Sequence, residues 1–485
     1  MSIRNSFWES MDTNKKERYT IGWKLRKEAE GMKHIRIFLA CLVCRTARTL
    51  LHLTGRGGTS LPGKLALRVC PDILPVVARG VQSILVTGTN GKTTTVKLLC
   101  HALEAEGETL FTNRSGANLA AGITAEYILN ANLFGLARCD WAVIECDEAA
   151  LKLVSAAIEP KMILVTNLFR DQLDRYGDVK HTLAEIREGV KRSGGALLCL
   201  NADCSLTASL ERDTENAAVF FGLDVASGEK PNLHDAPRCI YCGAAYDYSY
   251  HTFAHLGGFR CPDCGYSRPV PDLSVTEWEA VGTEKSRALF ECDTGSYSVT
   301  LPLPSVYNVC NAAAVICAIN ALGFDVSTAV SALENAEAGF GRMETMTVGG
   351  TDVRMILVKN GAGCDRALAY LHSVPAPYTA VFCLNDRIAD GTDISWLWDA
   401  DFEGLLTENP PAAIAVYGSR AADLRLRLKY AGADEDAVRV LGSVTELKTM
   451  IEEADHGVYV LPNYSTMLEV RDALAVAGGK RRFWE

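Results

Sequence analysis

The chain has 485 residues, of which 48% are hydrophobic, and a formal net charge of −10 at pH 7. That acidic balance gives no support to nucleic-acid binding, which wants a basic surface, and the length fits about three domains. Seventeen cysteines, odd in number and scattered behind the polar opening MSIRNSFWESMDTNKKERYT, fit a reducing cytoplasm with mostly free thiols, some of them metal ligands, better than a disulfide framework.

Residues 1 to about 33 read as a loosely ordered extension. The apolar stretch Ile35 to Leu53 predicts a helix, but Arg36, Arg45 and Arg48 interrupt it. It therefore falls short of the ~20 apolar residues that a spanning helix needs. A buried or partner-facing helix is expected, and a position on a membrane surface stays open because basic residues accompany the apolar ones. The turn-rich GRGGTSLPGK follows.

From about residue 65 apolar strands alternate with helices, through ILVTG, WAVIECDEA, KMILVTNL and GALLCLNAD. This α/β pattern predicts a parallel sheet with crossover helices, and ligands gather at the carboxyl ends of such strands. Each strand ends in a polar cluster: Thr87-Gly88, Glu145-Cys146-Asp147-Glu148, Thr166-Asn167 and Asn201-Ala202-Asp203. Residues 230 to 300 break the pattern with cysteines, aromatics and prolines. A helix is expected from Asn308 to Leu322, and a second α/β segment follows GFGRME with VRMILVKN, YTAVFCLND, AAIAVYG and HGVYVLP. Three parts result: an extension and helix over 1–60, a central domain over 61–345 with an insertion at about 230–275, and a last α/β domain over 346–485.

The most informative text is VQSILVTGTNGKTTT, residues 81 to 95. A short β-branched strand breaks at Gly88 and Gly91, and Lys92-Thr93-Thr94-Thr95 opens a helix. That order presents backbone N–H groups and a helix dipole to an anion. Gly88, Thr89, Asn90, Gly91 and Thr94 would wrap the phosphates of a nucleoside triphosphate. Lys92 would neutralise their charge and the Thr93 hydroxyl would ligate Mg²⁺. The spacing Gly88-x-x-Gly91-Lys92-Thr93 is shorter than the usual G-x-x-x-x-G-K-[ST] loop. Glu145, after the second strand, is placed to reach the same Mg²⁺, while Asp147 and Glu148 are balanced between that role and a solvated acidic turn.

Cys239-x-x-Cys242 and Cys261-x-x-Cys264, 18 residues apart, form two knuckles that let four thiolates converge on Zn²⁺. Four cysteine ligands close the coordination sphere, so this zinc would hold the insertion together and do no chemistry. Asn308 and Asn311 share one helix face, although N-capping alone would account for one of them. Arg342 is a phosphate clamp if the last domain closes on the site. NDRIADGTDISWLWDADFE, residues 385 to 403, gathers five aspartates around two tryptophans. It reads as a loop that docks on another chain, as a source of a catalytic carboxylate, or as both.

Assembled, these residues resemble the Mur ligase superfamily, ATP-dependent carboxylate–amine ligases with a central ATPase domain and a Rossmann-like C-terminal domain. GTNGKTTT stands for that family's phosphate loop, Glu145 for its Mg²⁺ carboxylate, Asn308 and Asn311 for its nucleotide-contacting asparagines, and Arg342 for its inter-domain arginine. A narrower resemblance, to MurT-type subunits of lipid II isoglutaminyl synthase, rests on TNRSGANLAAGI, ECDEAAL, TNLFRDQLDRYGD, the four-cysteine insertion, ADGTDISWLWDADFE and LPNYSTMLEVR.

That resemblance implies amidation of the D-glutamate α-carboxylate in the lipid II stem peptide through an acyl phosphate. Its cofactors would be ATP, Mg²⁺ and Zn²⁺, and its ammonia would come from a GatD-like glutaminase partner of the class I amidotransferase type. It implies a cytoplasmic protein with a lipid-linked substrate and peripheral membrane contact left open. It also implies that an aspartate of this chain completes the partner's Cys-His dyad, Asp393 first and Asp390 second. The alternatives are a stand-alone Mur-type ligase acting on another carboxylate and a catalytically silent nucleotide-binding scaffold. Three departures stand out: Gln172 where many Mur ligases carry a metal-binding histidine, no clear carbamylatable lysine after it, and Gly361-Ala362-Gly363 after LVKN where the family usually has Pro-Ala-Gly. The first makes a second metal site unexpected, and the last is expected to loosen the local backbone.

Overall fold

Apolar runs separated by helices generate two large sheets and one small hairpin. The computed structural model describes residues 13–53, 60–113, 117–170, 179–226, 235–336, 342–387 and 390–477. They fall into two compact units, one formed up to Val81 together with Asn113–Asp140, the other by Gln82–Thr112 and the described residues from Trp141 onward.

The first unit is helical: Thr13–Leu53, Leu61–Val69, Ile73–Val77 and Ala120–Leu129. Its long helix starts at Thr13, not at Ile35. The added segment is rich in Lys, Glu and Arg and contains no proline, so intrinsic propensity carries the helix where hydrophobic periodicity gives no signal. Ile37, Ala40, Cys41 and Cys44 form its buried stripe at helical spacing, while Leu39, Leu42 and Leu50 are exposed. Arg45 interrupts the apolar text for a local reason. Its Nη2 donates to the carbonyls of Ile128 and Leu129, at 3.0 and 3.3 Å, in the last turn of helix Ala120–Leu129. No helix among the described residues is long and apolar enough to cross a membrane.

The second unit holds both sheets. Strands β1 (Gln82–Thr87), β2 (Leu110–Thr112), β3 (Trp141–Glu145), β4 (Met162–Val165), β5 (Leu197–Asn201) and β6 (Ala218–Leu223) run parallel. The hairpin β7 (Asp247–Phe253) and β8 (Leu256–Arg260) stands apart. Then β9 (Leu273–Val281), β10 (Lys285–Cys292) and β11 (Gly295–Leu301) extend the sheet to nine strands in the order β11-β10-β9-β6-β5-β4-β1-β3-β2. β3 and β4 flank β1 on opposite sides, so the chain reverses its winding at the carboxyl end of β1, where α/β sheets open a crevice for ligands. Helix Val306–Leu322 is buried on nearly every face from Asn308 to Ile319 and packs on helix Lys92–Ala105 and on β5, β6 and β9.

The six-stranded sheet has the order β12-β13-β17-β14-β15-β16, with β12 (Arg342–Val348), β13 (Thr351–Ile356), β14 (Thr379–Cys383), β15 (Ala413–Tyr417), β16 (Val438–Leu441) and β17 (Val458–Pro462). Only β12 runs antiparallel to its neighbour. Gly361-Ala362-Gly363 opens a regular helix, Gly361–His372, instead of loosening the chain. The Asn360 side chain caps it by accepting from the Gly363 N–H at 2.8 Å.

Candidate active site

The loop after β1 has glycine where nothing else fits. Gly88 and Gly91 adopt φ of 115° and 90°, a region that side chains rarely enter. A Cβ on Gly88 would lie 2.5 Å from Thr166 Oγ1, and one on Gly91 would lie 2.2 Å from Asn311 Oδ1. The loop is pinned by the residues that follow β4. Thr89 N donates to Asn167 O at 2.8 Å and Asn90 N to Asn167 Oδ1 at 3.0 Å, while Thr166 Oγ1 donates to Asn90 O at 2.7 Å. Helix Lys92–Ala105 starts with no side-chain cap on its first N–H groups, which leaves them to an anion.

Lys92 is buried at the head of that helix. Its Nζ donates to Gly88 O and forms a 2.7 Å ion pair with Glu148 Oε1. Burial alone would depress the ammonium, but the carboxylates of Glu148 and Glu145 outweigh it and hold the Lys92 pKa above its ordinary value. Thr93 Oγ1 donates to Glu145 Oε2 at 2.7 Å. The hydroxyl and carboxylate assigned to Mg²⁺ thus meet, and their oxygen chemistry fits a small hard cation. Asp147 instead closes its own turn, accepting from Ala149 N at 3.1 Å.

A crevice beside the loop is lined by Asn90, Lys92, Thr94, Tyr307, Asn308 and Asn311 together with Lys359, Gly363 and Arg366. The two asparagines are therefore brought to the site, and neither caps its helix: Ser305 holds that position, and Asn308 Nδ2 donates to Pro304 O at 2.7 Å. Arg342 opens β12, paired in register with Ile356; its side chain lies outside what is described, as do residues 171–178 with Gln172. The Arg366 guanidinium lies 4.1, 5.1 and 5.4 Å from the rings of Phe253, Phe169 and Tyr307. Burial lowers its pKa to about 10.

Cys239, Cys242, Cys261 and Cys264 place their four sulfurs within 4.8 Å of one another, with Cys239–Cys264 and Cys242–Cys261 at 3.5 and 3.4 Å. A tetrahedron of sulfurs around an ion at ~2.3 Å has edges of about 3.8 Å, so the cluster is shaped for one metal ion. The β7–β8 hairpin between the knuckles packs through Phe253 against Arg366, which lines the crevice. Phe253 stacks on Phe169 at 6.1 Å, and His255 meets the same ring edge-on at 4.8 Å.

The aspartate-rich stretch resolves into separate roles. Asp401 caps helix Phe402–Glu408, Asp399 lies 3.9 Å from Arg170, and Asp386 lies 3.4 Å from Arg420. Asp390 accepts from Ser465 N at 2.7 Å and from Ser465 Oγ at 2.5 Å. Asp393 is held only by a local turn to Ser395 N at 2.9 Å among the described residues.

Sequence reasoning missed three residues here. Glu148 reads in the sequence as evenly balanced with a solvated turn, yet it pairs with Lys92; only the fold shows which of three neighbouring carboxyls does so. Asn167 was noted merely as part of a polar strand end. Arg366 sits in an amphipathic helix among other charged residues and carries no motif.

Residues 86–239 match the family model of the Mur ligase middle domain, and residues 357–467 that of the MurT ligase C-terminal domain. The chain is 32% identical over 446 residues to the lipid II isoglutaminyl synthase (glutamine-hydrolyzing) subunit MurT of Streptococcus pneumoniae, covering 91% of this chain and 98% of that one. It is 30% identical over 445 residues to the protein of the same name from Staphylococcus aureus, with the same two coverages of 91% and 98%. In three dimensions it is similar to a pseudomurein peptide ligase type C from Methanothermus fervidus, with a TM-score of 0.63 at 20% identity over 82% of this chain and 78% of that one. It is similar also to MurF from Acinetobacter baumannii, with a TM-score of 0.60 at 17% identity over 84% and 79%. Those two likenesses establish a Mur-ligase-like α/β fold.

Proposed function

The chain belongs to the family of MurT subunits of lipid II isoglutaminyl synthase, and from that premise we propose that it uses ATP to amidate the D-glutamate α-carboxylate in the stem peptide of lipid II. Like its relatives it is an ATP-dependent amide-forming ligase. The carboxylate takes the terminal phosphoryl group of ATP, with ADP as the leaving group. Ammonia then attacks the acyl carbon of the mixed anhydride, and phosphate departs with the formation of the amide.

The chain's own residues supply position and charge. The N–H groups of the loop from Gly88 to Thr94 and the head of the helix hold the phosphates, and Lys92 offsets negative charge on the phosphoryl group in transit. Thr93 and Glu145 would hold Mg²⁺, which would supply positive charge against that of the phosphates. Asn308, Asn311 and Arg342 would complete the nucleotide site. Cys239, Cys242, Cys261 and Cys264 would hold Zn²⁺ as a structural clasp. Ammonia is supplied by a glutaminase partner, to whose histidine Asp393, with Asp390 as second choice, offers an orienting carboxylate. The domain layout that serves this chemistry is a central ATPase domain to about residue 345 and a Rossmann-like domain after it. A lipid-linked substrate fits a cytoplasmic protein that works at the inner face of the plasma membrane.

The observation that carries this reading is the loop itself, whose buried Lys92 and uncapped helix head face a crevice shared by both sheets. Its test is amidation of lipid II by the chain with its glutaminase partner, ATP and glutamine. Lys92→Ala should abolish the amidated product; full activity in that variant sinks the assignment.

A further inference from the structure

Arg366 is a cation set in an apolar frame. Its guanidinium packs over the rings of Phe169, Phe253 and Tyr307, which come from the end of β4, from the β7 strand of the cysteine insertion and from the asparagine helix. Those rings attract a cation but offer no hydrogen-bond acceptor in its plane. Its Nε and Nη2 are buried and have no acceptor among the described residues. The carboxylate of the neighbouring residue, Asp365, accepts from the backbone N–H of Asp401 at 2.7 Å. Burial without a counter-ion accounts for the downward shift of the Arg366 pKa. A guanidinium left with open donors in such a place is a site for a planar or tetrahedral oxyanion.

The position of the open donors narrows the ligand. Arg366 lines the same crevice as Lys92 and Thr94 but is carried by a separate element, the helix Gly361–His372. The loop amides and Lys92 would enclose the phosphates they bind, so a group carried by another element of the crevice would meet the outermost phosphoryl oxygens. We propose that Arg366 binds the terminal phosphoryl group of the nucleotide and is the residue by which this site distinguishes a triphosphate from a diphosphate. The inference rests on the nucleotide reading given above and adds to it a residue from the helix Gly361–His372. It also assigns work to the cysteine insertion, whose Phe253 ring is the nearest of the three to the guanidinium, at 4.1 Å.

A purely structural Arg366, one that only ties the helix Gly361–His372 to the rings, would affect both nucleotides alike. The test is calorimetric binding of a non-hydrolysable ATP analogue and of ADP, both with Mg²⁺, to the full chain and to Arg366→Gln and Arg366→Lys. The inference expects Arg366→Gln to weaken the triphosphate analogue by about tenfold or more while ADP changes by less than about twofold. Arg366→Lys, which keeps the charge and loses the planar fork, should fall between, and it carries the test if the glutamine variant does not fold. Equal weakening of both nucleotides, or no change in either, overturns it. A wild-type chain that binds neither nucleotide overturns the nucleotide reading and this inference with it, whereas Lys92→Ala losing both ligands while Arg366→Gln loses neither removes this inference alone.

Discussion

Lys92 Nζ and Glu148 Oε1 lie 2.7 Å apart, both side chains more than nine-tenths buried. Without nucleotide this pair keeps the loop's cation charged, in place and compensated. Glu148→Gln removes the strongest partner while Glu145 and Asp147 remain near. It should destabilise the nucleotide-free chain by about 1–3 kcal/mol. Bound ATP supplies other negative charge, so saturating nucleotide should shrink the loss of thermal stability. A variant that melts with the wild type in the absence of nucleotide contradicts this role for Glu148.

Asp365 makes a pH-dependent prediction. Burial pushes its carboxyl up to about 6, and the Asp401 carboxylate adds to this, although the Asp401 N–H works in the opposite direction. An unfolded aspartate titrates near ~3.9. The folded state therefore binds the proton more tightly, and the stability this contributes is full below about pH 4 and lost as the pH rises through about 6. Asp365→Asn keeps an acceptor for the Asp401 N–H and removes the buried charge. It should stabilise the chain by about 2–3 kcal/mol at about pH 8 and by little near about pH 4, as read by denaturant titration at both. A gain that grows on acidification would refute the sign.

Arg471 and Glu344 form a buried two-pronged pair, Nε to Oε2 at 2.9 Å and Nη2 to Oε1 at 3.1 Å, which ties the helix Tyr464–Ala477 to β12. Removing one partner strands the other, so Glu344→Ala should cost about 3–5 kcal/mol. Replacing both by methionine should recover most of that, because packed apolar side chains avoid the desolvation cost. If the double variant is as unstable as the single one, the pair is not the source of the loss.

Asp390 and Asp393 should separate by nitrogen source. Asp390 fastens the start of the last helix through Ser465, whereas Asp393 is engaged only in its local turn. With the glutaminase partner present, Asp393→Asn should lower glutamine-driven amidation by about a hundredfold or more and leave ammonium-driven amidation intact. Asp390→Asn should lower both together with thermal stability. Equal losses from the two nitrogen sources in Asp393→Asn would remove it from the partner's dyad.

These predictions rest on residues that differ in how far the sequence revealed them. The loop was legible because strand, glycines and Lys92-Thr93 are contiguous and each type has a local reason to be there. The cysteine knuckles were legible for the same reason, since ligand spacing is written along the chain. β9 to β11 were not, because their side chains alternate between core and solvent within text broken by turns and charges. The helical residues from Thr13 to His34 escaped notice because propensity without an apolar stripe leaves no periodicity. Arg366 and the inward turn of Glu148 depend on contacts between distant segments, which no local pattern encodes.

The central claim is that a substrate carboxylate is activated by phosphoryl transfer in the crevice beside Lys92. It is tested most directly with lipid II whose D-glutamate α-carboxylate carries heavy oxygen, incubated with the chain, its glutaminase partner, ATP and glutamine. Mass spectrometry of the released phosphate should find one labelled oxygen for each amide formed, and Lys92→Ala should release none. Amide formed with unlabelled phosphate would contradict the acyl phosphate and the role given to this site.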